Sequence, residues 1–366
     1  MFVKELHIVN FKNIAEATFM FCPRFNCIVG NNGVGKTNVL DALYLLSMCK
    51  SYFGLPDSQN IRHHESFFVL QGKYGRKEEE VEVYCGVKRG QKKVFRKNQK
   101  AYDKLSEHIG LLPLVMIAPE DVTLIDGGSD ERRRLVDGII SQSDRNYLYL
   151  LIRYNKALQQ RNTLLRAAEG KAIDPAMLEV WDEQLAACGE KILKQRADFI
   201  RDFKVFFQRY YDLISSGKEQ VAFMYKSTSG ECGMREALKK TWEKDCMLGY
   251  TTVGIHRDDL NLTIDEYSVK KAGSQGQKKT FLIALKLAQY AWLYQIGKIK
   301  PLLLLDDIFD KLDAGRVKRI IELVGEEMFG QVFITDTNRQ HLDDILKSQN
   351  VEYKLFFAEG NGSFAE

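Results

Sequence analysis

The stretch Ile28-Val29-Gly30-Asn31-Asn32-Gly33-Val34-Gly35-Lys36-Thr37 restricts this chain more than any other. An apolar run (Phe25, Cys27, Ile28, Val29) precedes it and an amphipathic one (Val39, Leu40, Ala42, Leu43, Leu46) follows, so it reads as buried strand, glycine turn and helix start. Gly30, Gly35, Lys36 and Thr37 fit G-x-x-x-x-G-K-[ST], a phosphate-binding loop. A loop that wraps phosphates must present backbone N–H groups at close range, which favours glycine over residues with side chains. The following helix points its unpaired N–H groups and positive dipole end at the anion. Gly30 through Thr37 are therefore the nucleotide-binding candidates, with Lys36 the charge for β- and γ-phosphates and Thr37 the hydroxyl for Mg²⁺. Arg62, in the polar loop 51–65 downstream, is a further nucleotide-binding candidate. His63-His64 in that loop lack the carboxylate spacing of a metal site and read as solvated.

Such a loop needs an apolar strand ending in an acid. Leu302-Leu303-Leu304-Leu305-Asp306-Asp307 supplies it: Asp306 to hold Mg²⁺, Asp307 to orient or deprotonate water as the catalytic residue beside Lys36. About 270 residues separate the two motifs, far more than one βαβ unit needs, so a large insertion lies between. Just before the acidic strand, Ser274-Gln275-Gly276-Gln277 opens an amphipathic helix (Phe281, Leu282, Leu285, Leu287, Ala288, Ala291), a second helix N-terminus suited to an anion. One nucleotide cannot readily use both ends of one chain. A head-to-tail dimer can, with Ser274–Gln277 acting in trans.

Within the 366 residues, 45% hydrophobic, the chain has enough apolar content for a large core and two lobes. No run of about 18 apolar residues predicts a membrane span. Seven cysteines without C-x-x-C, and an N-terminus that is already an alternating strand, predict a reduced, cytoplasmic protein. Short strands are expected at 2–9, 14–21 and 26–29, then period-two hairpins over 67–101 with turns at Gly75 and at Gly90-Gln91. The second hairpin is basic: Lys88, Arg89, Lys92, Lys93, Arg96, Lys97 and Lys100. It is either a DNA phosphate contact or a solvated tip facing Glu78-Glu79-Glu80. Residues 132–210 read as helical, with Asp174-Pro175 starting a helix of about 36 residues. Its apolar seam (Leu178, Trp181, Leu185, Cys188, Ile192, Phe199, Phe206) is broken at Gln195 and Asp202, and it packs as an antiparallel arm. Strands at 221–226, 251–255 and 260–264 and a helix at 234–245 come next. The rest alternates: helix from Gln275, strand 302–305, helix from Asp313, strand 332–335, helix near 342–346, strand 353–358.

In this order the motifs resemble an ABC-type ATPase head of the SMC class, and nearly end to end the bacterial RecF family. The residues that carry the likeness are Phe11-Lys12-Asn13, Asn38 to Ala42, Pro119-Glu120-Asp121, Gly127-Gly128, Arg132-Arg133-Arg134 with Asp137, Tyr154 to Leu165, and Gly254 to Leu260. Ser274–Gln277 stands at the ABC signature and Asp306-Asp307 at the acidic pair. Thr335-Asp336-Thr337 lies where transporters carry a switch histidine, leaving the γ-phosphate sensor open. The resemblance implies an α/β fold: a P-loop ABC-type head with a mixed sheet and an antiparallel β-subdomain, plus a mostly helical lobe with a short antiparallel arm. The expected division is 1–118, 119–245 and 246–366. It also implies that Lys12 and Asn13 contact nucleotide, that ATP and Mg²⁺ are cofactors, and that ATP drives a homodimer with slow hydrolysis. Further implied are DNA binding at gapped single-strand/double-strand junctions and a recombination mediator partner of the RecR type that helps load recombinase. Alternatives are an SMC-like ATPase of another role such as defence, a transporter ATPase subunit, a metabolic P-loop kinase, and a scaffold with a degenerate site. The missing switch histidine and Ser-Gly-Gly motif oppose the transporter; intact Lys36, Thr37, Asp306 and Asp307 oppose the scaffold.

Overall fold

A computed structural model describes residues 1–76, 79–169, 171, 173–215, 219–309, 312–337 and 351–365. The first half contains strands β1 (Phe2–Phe11), β2 (Ile14–Met20) and β3 (Phe25–Val29), helix α1 (Lys36–Met48), then β4 (Phe67–Arg76), β5 (Glu79–Lys88), β6 (Val94–Lys97), β7 (Lys100–Ala101) and β8 (Leu114–Ile117). Helices α2 (Thr123–Asp126), α3 (Ser129–Ser143), α4 (Arg145–Ala167) and α5 (Pro175–Ser215) follow. Next come β9 (Val221–Lys226), α6 (Met234–Lys240), α7 (Trp242–Leu248), β10 (Asp259–Ile264), β11 (Tyr267–Ser268) and α8 (Val269–Ala272). The chain continues through α9 (Gln275–Gly297), β12 (Leu302–Asp306), α10 (Ala314–Gly325), β13 (Val332–Asp336), β14 (Tyr353–Glu359) and β15 (Ser363–Ala365). The helix expected near 342–346 lies outside the described residues. None of the described helices is long and apolar enough to cross a membrane.

The chain divides into two compact units. The first comprises Met1–Asp121, Tyr210–Gly217 and Lys279–Glu366 and holds two sheets. One is antiparallel, in the order β2-β1-β4-β5-β6-β7; the other runs β15-β14-β3-β13-β12-β8 and is parallel except for β15. Strands β3, β8, β12 and β13 are buried at every position, the pattern of a sheet covered on both faces. Helix α1 joins one core with both sheets, which explains why Val39, Leu40, Ala42, Leu43, Leu45 and Leu46 are all buried rather than only one stripe. Phe19 and Phe21 carry the antiparallel sheet onto the parallel one by edge contacts with Phe356 (5.5 Å) and Phe333 (4.8 Å). Helix α9 departs from the expected amphipathic stripe: Thr280 to Ala291 are buried on every face. Its one charge there, Lys286, is neutralised by Asp121 at 2.6 Å.

The second unit comprises Val122–Arg209 and Lys218–Lys278. It holds the three-stranded antiparallel sheet β11-β10-β9 and most of the helices. The expected boundary at 245/246 falls instead at 278/279. Strand β10 pairs with β9 along its whole length, Ile264 opposite Val221 and Asp259 opposite Lys226, which holds 246–278 with the helices. Helix α5 has 41 residues, longer than expected. Its seam is not broken at Gln195 and Asp202. It passes through buried Arg196, Phe203 and Phe207, one residue further on each time, because a straight helix of 3.6 residues per turn drifts off a strict heptad. The expected strand 251–255 is irregular. Side chains there take the partners a ladder would need: Asn162 accepts from the Thr251 N–H (2.8 Å) and Asp245 from the Thr252 N–H (2.9 Å). The expected helix 234–245 is two short helices, α6 and α7.

Candidate nucleotide site

Strand β3 ends at Val29 and α1 begins at Lys36, so Gly30–Gly35 form the loop between them. Gly35 has φ 111°, and a Cβ there would lie 2.6 Å from Asn13 Oδ1; only glycine fits. A Cβ on Gly30 would meet the Ala358 carbonyl at 2.6 Å. Asn13 stays close because its amide donates to the Gly33 carbonyl (3.3 Å) and accepts from the Asn38 amide (2.7 Å). The Lys36 ammonium folds back and donates to the carbonyls of Gly30 (2.6 Å) and Asn31 (2.8 Å). Burial lowers its pKa from the ordinary lysine value, while Asp307, Asp306 and Asp336 pull the other way. A buried, underpaired cation at the mouth of a glycine loop is poised to take an anion.

Strand β13 lies between β3 and β12, which places the acids beside the loop. Asp306, almost fully buried, accepts from the hydroxyls of Thr37 (2.9 Å) and Thr335 (2.6 Å). Burial raises its pKa above the usual carboxylate range, a penalty those two hydroxyl bonds partly offset. Asp307 turns into the left-handed region at φ 47°, and its N–H donates to the Thr335 hydroxyl at 3.0 Å. Thr335 thus holds both acids. It is opposite Asp306 in the parallel register, a neighbourhood set by strand order rather than by any local motif.

The structure therefore gathers Gly30–Thr37, Asn13, Asp306 and Asp307, and adds Thr335. Lys12 is committed elsewhere: its ammonium pairs with fully buried Asp41 at 2.6 Å and lies over the Phe53 ring at 4.6 Å. Asp41 also accepts from the Ser51 hydroxyl and the Tyr52 N–H, both at 2.7 Å, so it ties α1 to the loop that follows. Arg62 is partly exposed, 4.0 Å from Glu65. Ser274–Gln277 belongs to the second unit. Its Ser274 hydroxyl accepts from the Gln277 N–H (3.1 Å) and Gln277 Oε1 accepts from the Ser274 N–H (2.8 Å), a reciprocal capping box on α9.

In the basic hairpin, Lys88, Arg89, Lys92, Arg96 and Lys100 are exposed and Lys97 is half-buried. Lys93 is held by Asp57 (2.8 Å). Glu79 and Glu80 sit at the opposite end of β5 from Lys88, about 30 Å away along a ten-residue strand, and Glu80 pairs with Lys4. Glu78 lies outside the described residues. The tip is therefore not neutralised by Glu79 or Glu80.

Residues 2–360 match the family model described as RecF/RecN/SMC N terminal domain. The chain is 51% identical over 361 residues to the DNA replication and repair protein RecF of Phocaeicola vulgatus, covering 98% of this chain and 97% of the relative. It is 46% identical to that of Porphyromonas gingivalis over the full length of both. Among solved structures, the recombination mediator protein RecF-ATP in the RecFOR pathway superposes with a TM-score of 0.88 at 32% identity, covering 100% of this chain and 97% of that one. An SMC head bound to the C-winged helix domain of ScpA shares the fold alone, with a TM-score of 0.57 and 16% identity over 100% of this chain and 97% of that one. The chain belongs to the RecF/RecN/SMC N-terminal domain family and, within it, to the RecF proteins.

Proposed function

We propose that this chain is an ATP-switched DNA replication and repair protein of the RecFOR pathway, in which ATP closes two copies and hydrolysis releases them. The observation that carries this is the convergence of Lys36, Thr37, Asp306, Asp307 and Thr335 around one loop, in a chain about half identical to RecF proteins throughout its length. In this reading the loop N–H groups and Lys36 bind the phosphates of ATP, and Asp307 orients the attacking water. The donors at Thr37 and Asp306 are a hydroxyl and a carboxylate, hard oxygens that fit Mg²⁺. When bound, the ion would neutralise charge on the β- and γ-phosphate oxygens.

Ser274–Gln277, capped but exposed at Ser274, is the surface that would complete the site of a second copy. DNA with a single-strand/double-strand junction is the proposed nucleic acid ligand, with Lys88, Arg89, Lys92 and Arg96 among its phosphate contacts, and a mediator of the RecR type the proposed protein partner.

Light scattering with and without ATP, Mg²⁺ and gapped duplex tests this. The mass should double with ATP and Mg²⁺ and rise again with DNA; a monomer in saturating ATP overturns the shared site. Lys36→Ala should lose ATP binding. Ser274→Arg should keep ATP binding and lose the doubling.

A further inference from the structure

Helix α4 carries no aspartate or glutamate in 23 residues. At the chain's own frequency of 49 acids in 366 residues, about three are expected. Its buried side is Tyr147, Tyr154, Ala157, Arg161 and Leu165. The opposite side presents Arg145, Arg153, Lys156 and Arg166, all exposed. At 100° per residue these four fall on one face, together with Tyr149 and Ile152, which are 58% and 47% exposed. Ordinary solvated helix faces interleave acids with cations at i, i+4; this one does not.

Several acids of the second unit are occupied. Asp144 caps α4, Asp182 and Asp245 pair with buried Arg161, Glu183 pairs with Arg235, and Glu131 with Arg134. Among the described residues, no carboxylate forms an ion pair with Arg145, Arg153, Lys156 or Arg166. The second unit has two guanidinium–tyrosine pairs among the described residues, one of them within the stripe. Arg153 lies 5.6 Å from the Tyr149 ring centre, and Arg257 lies 4.8 Å from that of Tyr250. Arg166 lies against Gly249, which precedes Tyr250: a Cβ on Gly249 would meet the Arg166 Cγ at 3.5 Å.

We propose that this face of α4 is a second nucleic-acid contact, in which Arg145, Arg153, Lys156 and Arg166 bind phosphodiester groups. From Arg145 to Arg166 the helix rises about 32 Å. That is close to one duplex turn of about 34 Å. The inference rests on the reading of the chain as a DNA-binding protein and assigns part of that binding to the second unit, apart from the β5–β6 hairpin.

The test is fluorescence anisotropy of the full chain with ATP and Mg²⁺, on a labelled duplex and on a single strand of equal length, over about 50 to 200 mM salt. A triple variant, Arg145→Gln with Arg153→Gln and Lys156→Gln, removes exposed charge and the Arg153–Tyr149 contact, and an unchanged ATP-dependent mass shows that it folds. Binding should weaken about tenfold or more, and the log–log salt slope should flatten by about 2 to 3, near 0.9 per lost contact. Loss on both ligands supports contact to phosphodiesters as such; loss on duplex alone supports a contact that needs duplex spacing.

Unchanged affinity and slope overturn the proposal. A hairpin variant, Lys88→Gln with Arg89→Gln and Lys92→Gln, separates the two readings. If it alone loses binding, α4 is excluded and DNA binding stands. If the unaltered chain shows no salt-dependent binding to either ligand, both readings fall.

Discussion

Asp307 holds a backbone conformation that a non-glycine residue keeps only when its surroundings impose it. What imposes it is Thr335, whose hydroxyl takes the Asp307 N–H while donating to Asp306. One hydroxyl therefore orients both acids of the site, and its loss should be felt in hydrolysis more than in binding. Thr335→Val keeps the shape and removes the hydroxyl. ATP turnover is expected to fall about 10- to 100-fold, the usual effect of losing a group that orients such ligands, with ATP affinity changed only a few-fold. Thr335→Ser should restore most of the turnover. Equal turnover in the valine variant, measured with saturating ATP, would remove Thr335 from the mechanism. Thr335 drew notice in the sequence only as a stand-in for a missing histidine. Its real partner is 29 residues upstream and adjacent only through the strand register.

Several blocks that carried the family resemblance turn out to be the joints between helices. Arg196 of α5, 2% exposed, makes two bonds to Asp137 of α3 (2.9 and 2.8 Å) and donates to the Ile255 carbonyl (2.8 Å). Arg161 of α4 bonds Asp182 of α5 and Asp245 of α7. Arg132 of α3 grips Asp259 of β10 with two bonds (2.9 and 3.1 Å). These contacts lock α3, α4, α5, α7 and β10 into one unit, so Arg132, Arg161 and Arg196 are structural. Breaking one such pair from the acid side leaves a buried guanidinium without its counter-charge, which costs about 3–5 kcal/mol. Asp137→Ala is thus expected to lower the unfolding free energy, read from urea denaturation, by that order, with loss of exchange protection in α3 and α5. A change within about 0.5 kcal/mol would mean that Arg196 finds water instead. The start of α5 was readable because Asp174 caps it, accepting from the Ala176 N–H at 3.0 Å. The drift of its seam was not, since a heptad template hides a 3.6-residue period.

At the scale of the molecule, two histidines set a pH response: burial lowers the pKa of both His108 and His256 from 6.5 to about 4. His108 has no exposed surface, and its ring nitrogens face the Leu46 carbonyl (2.8 Å) and the Tyr102 hydroxyl (3.0 Å). Burial lowers its pKa from 6.5 to about 4. The unfolded chain therefore binds a proton that the folded chain refuses. The His108 contribution is complete above pH 6.5 and declines as pH falls from there toward 4, by up to about 3 kcal/mol at roughly 1.4 kcal/mol per unit. Urea unfolding at pH 7 and pH 5 should show the loss, and His108→Gln should remove about half of it, His256 carrying the rest. A slope unchanged in that variant would assign the acid response to other groups. The two compact units also belong to this scale. The boundary at 278/279 reflects the pairing of β10 with β9 across an intervening segment, and pairing over that distance leaves no local mark.

The sequence by itself determined the phosphate loop, the acidic strand and the capped helix starts. Each is written in consecutive residues whose chemistry is local: glycine backbone freedom, a lysine at a helix N-terminus, an apolar run ending in acid, a serine three residues before a glutamine. Tertiary structure alone decided which residues meet across the sheet, so that Thr335 joins Asp306 and Asp307 while Lys12 turns to Asp41. It also decided which charges are paired in the interior and which face water. Arg161 and Arg166 lie five residues apart on one helix, and packing buries the first among carboxylates and leaves the second exposed. The reason is that burial and pairing depend on neighbours distant in the chain, and no window of sequence contains them.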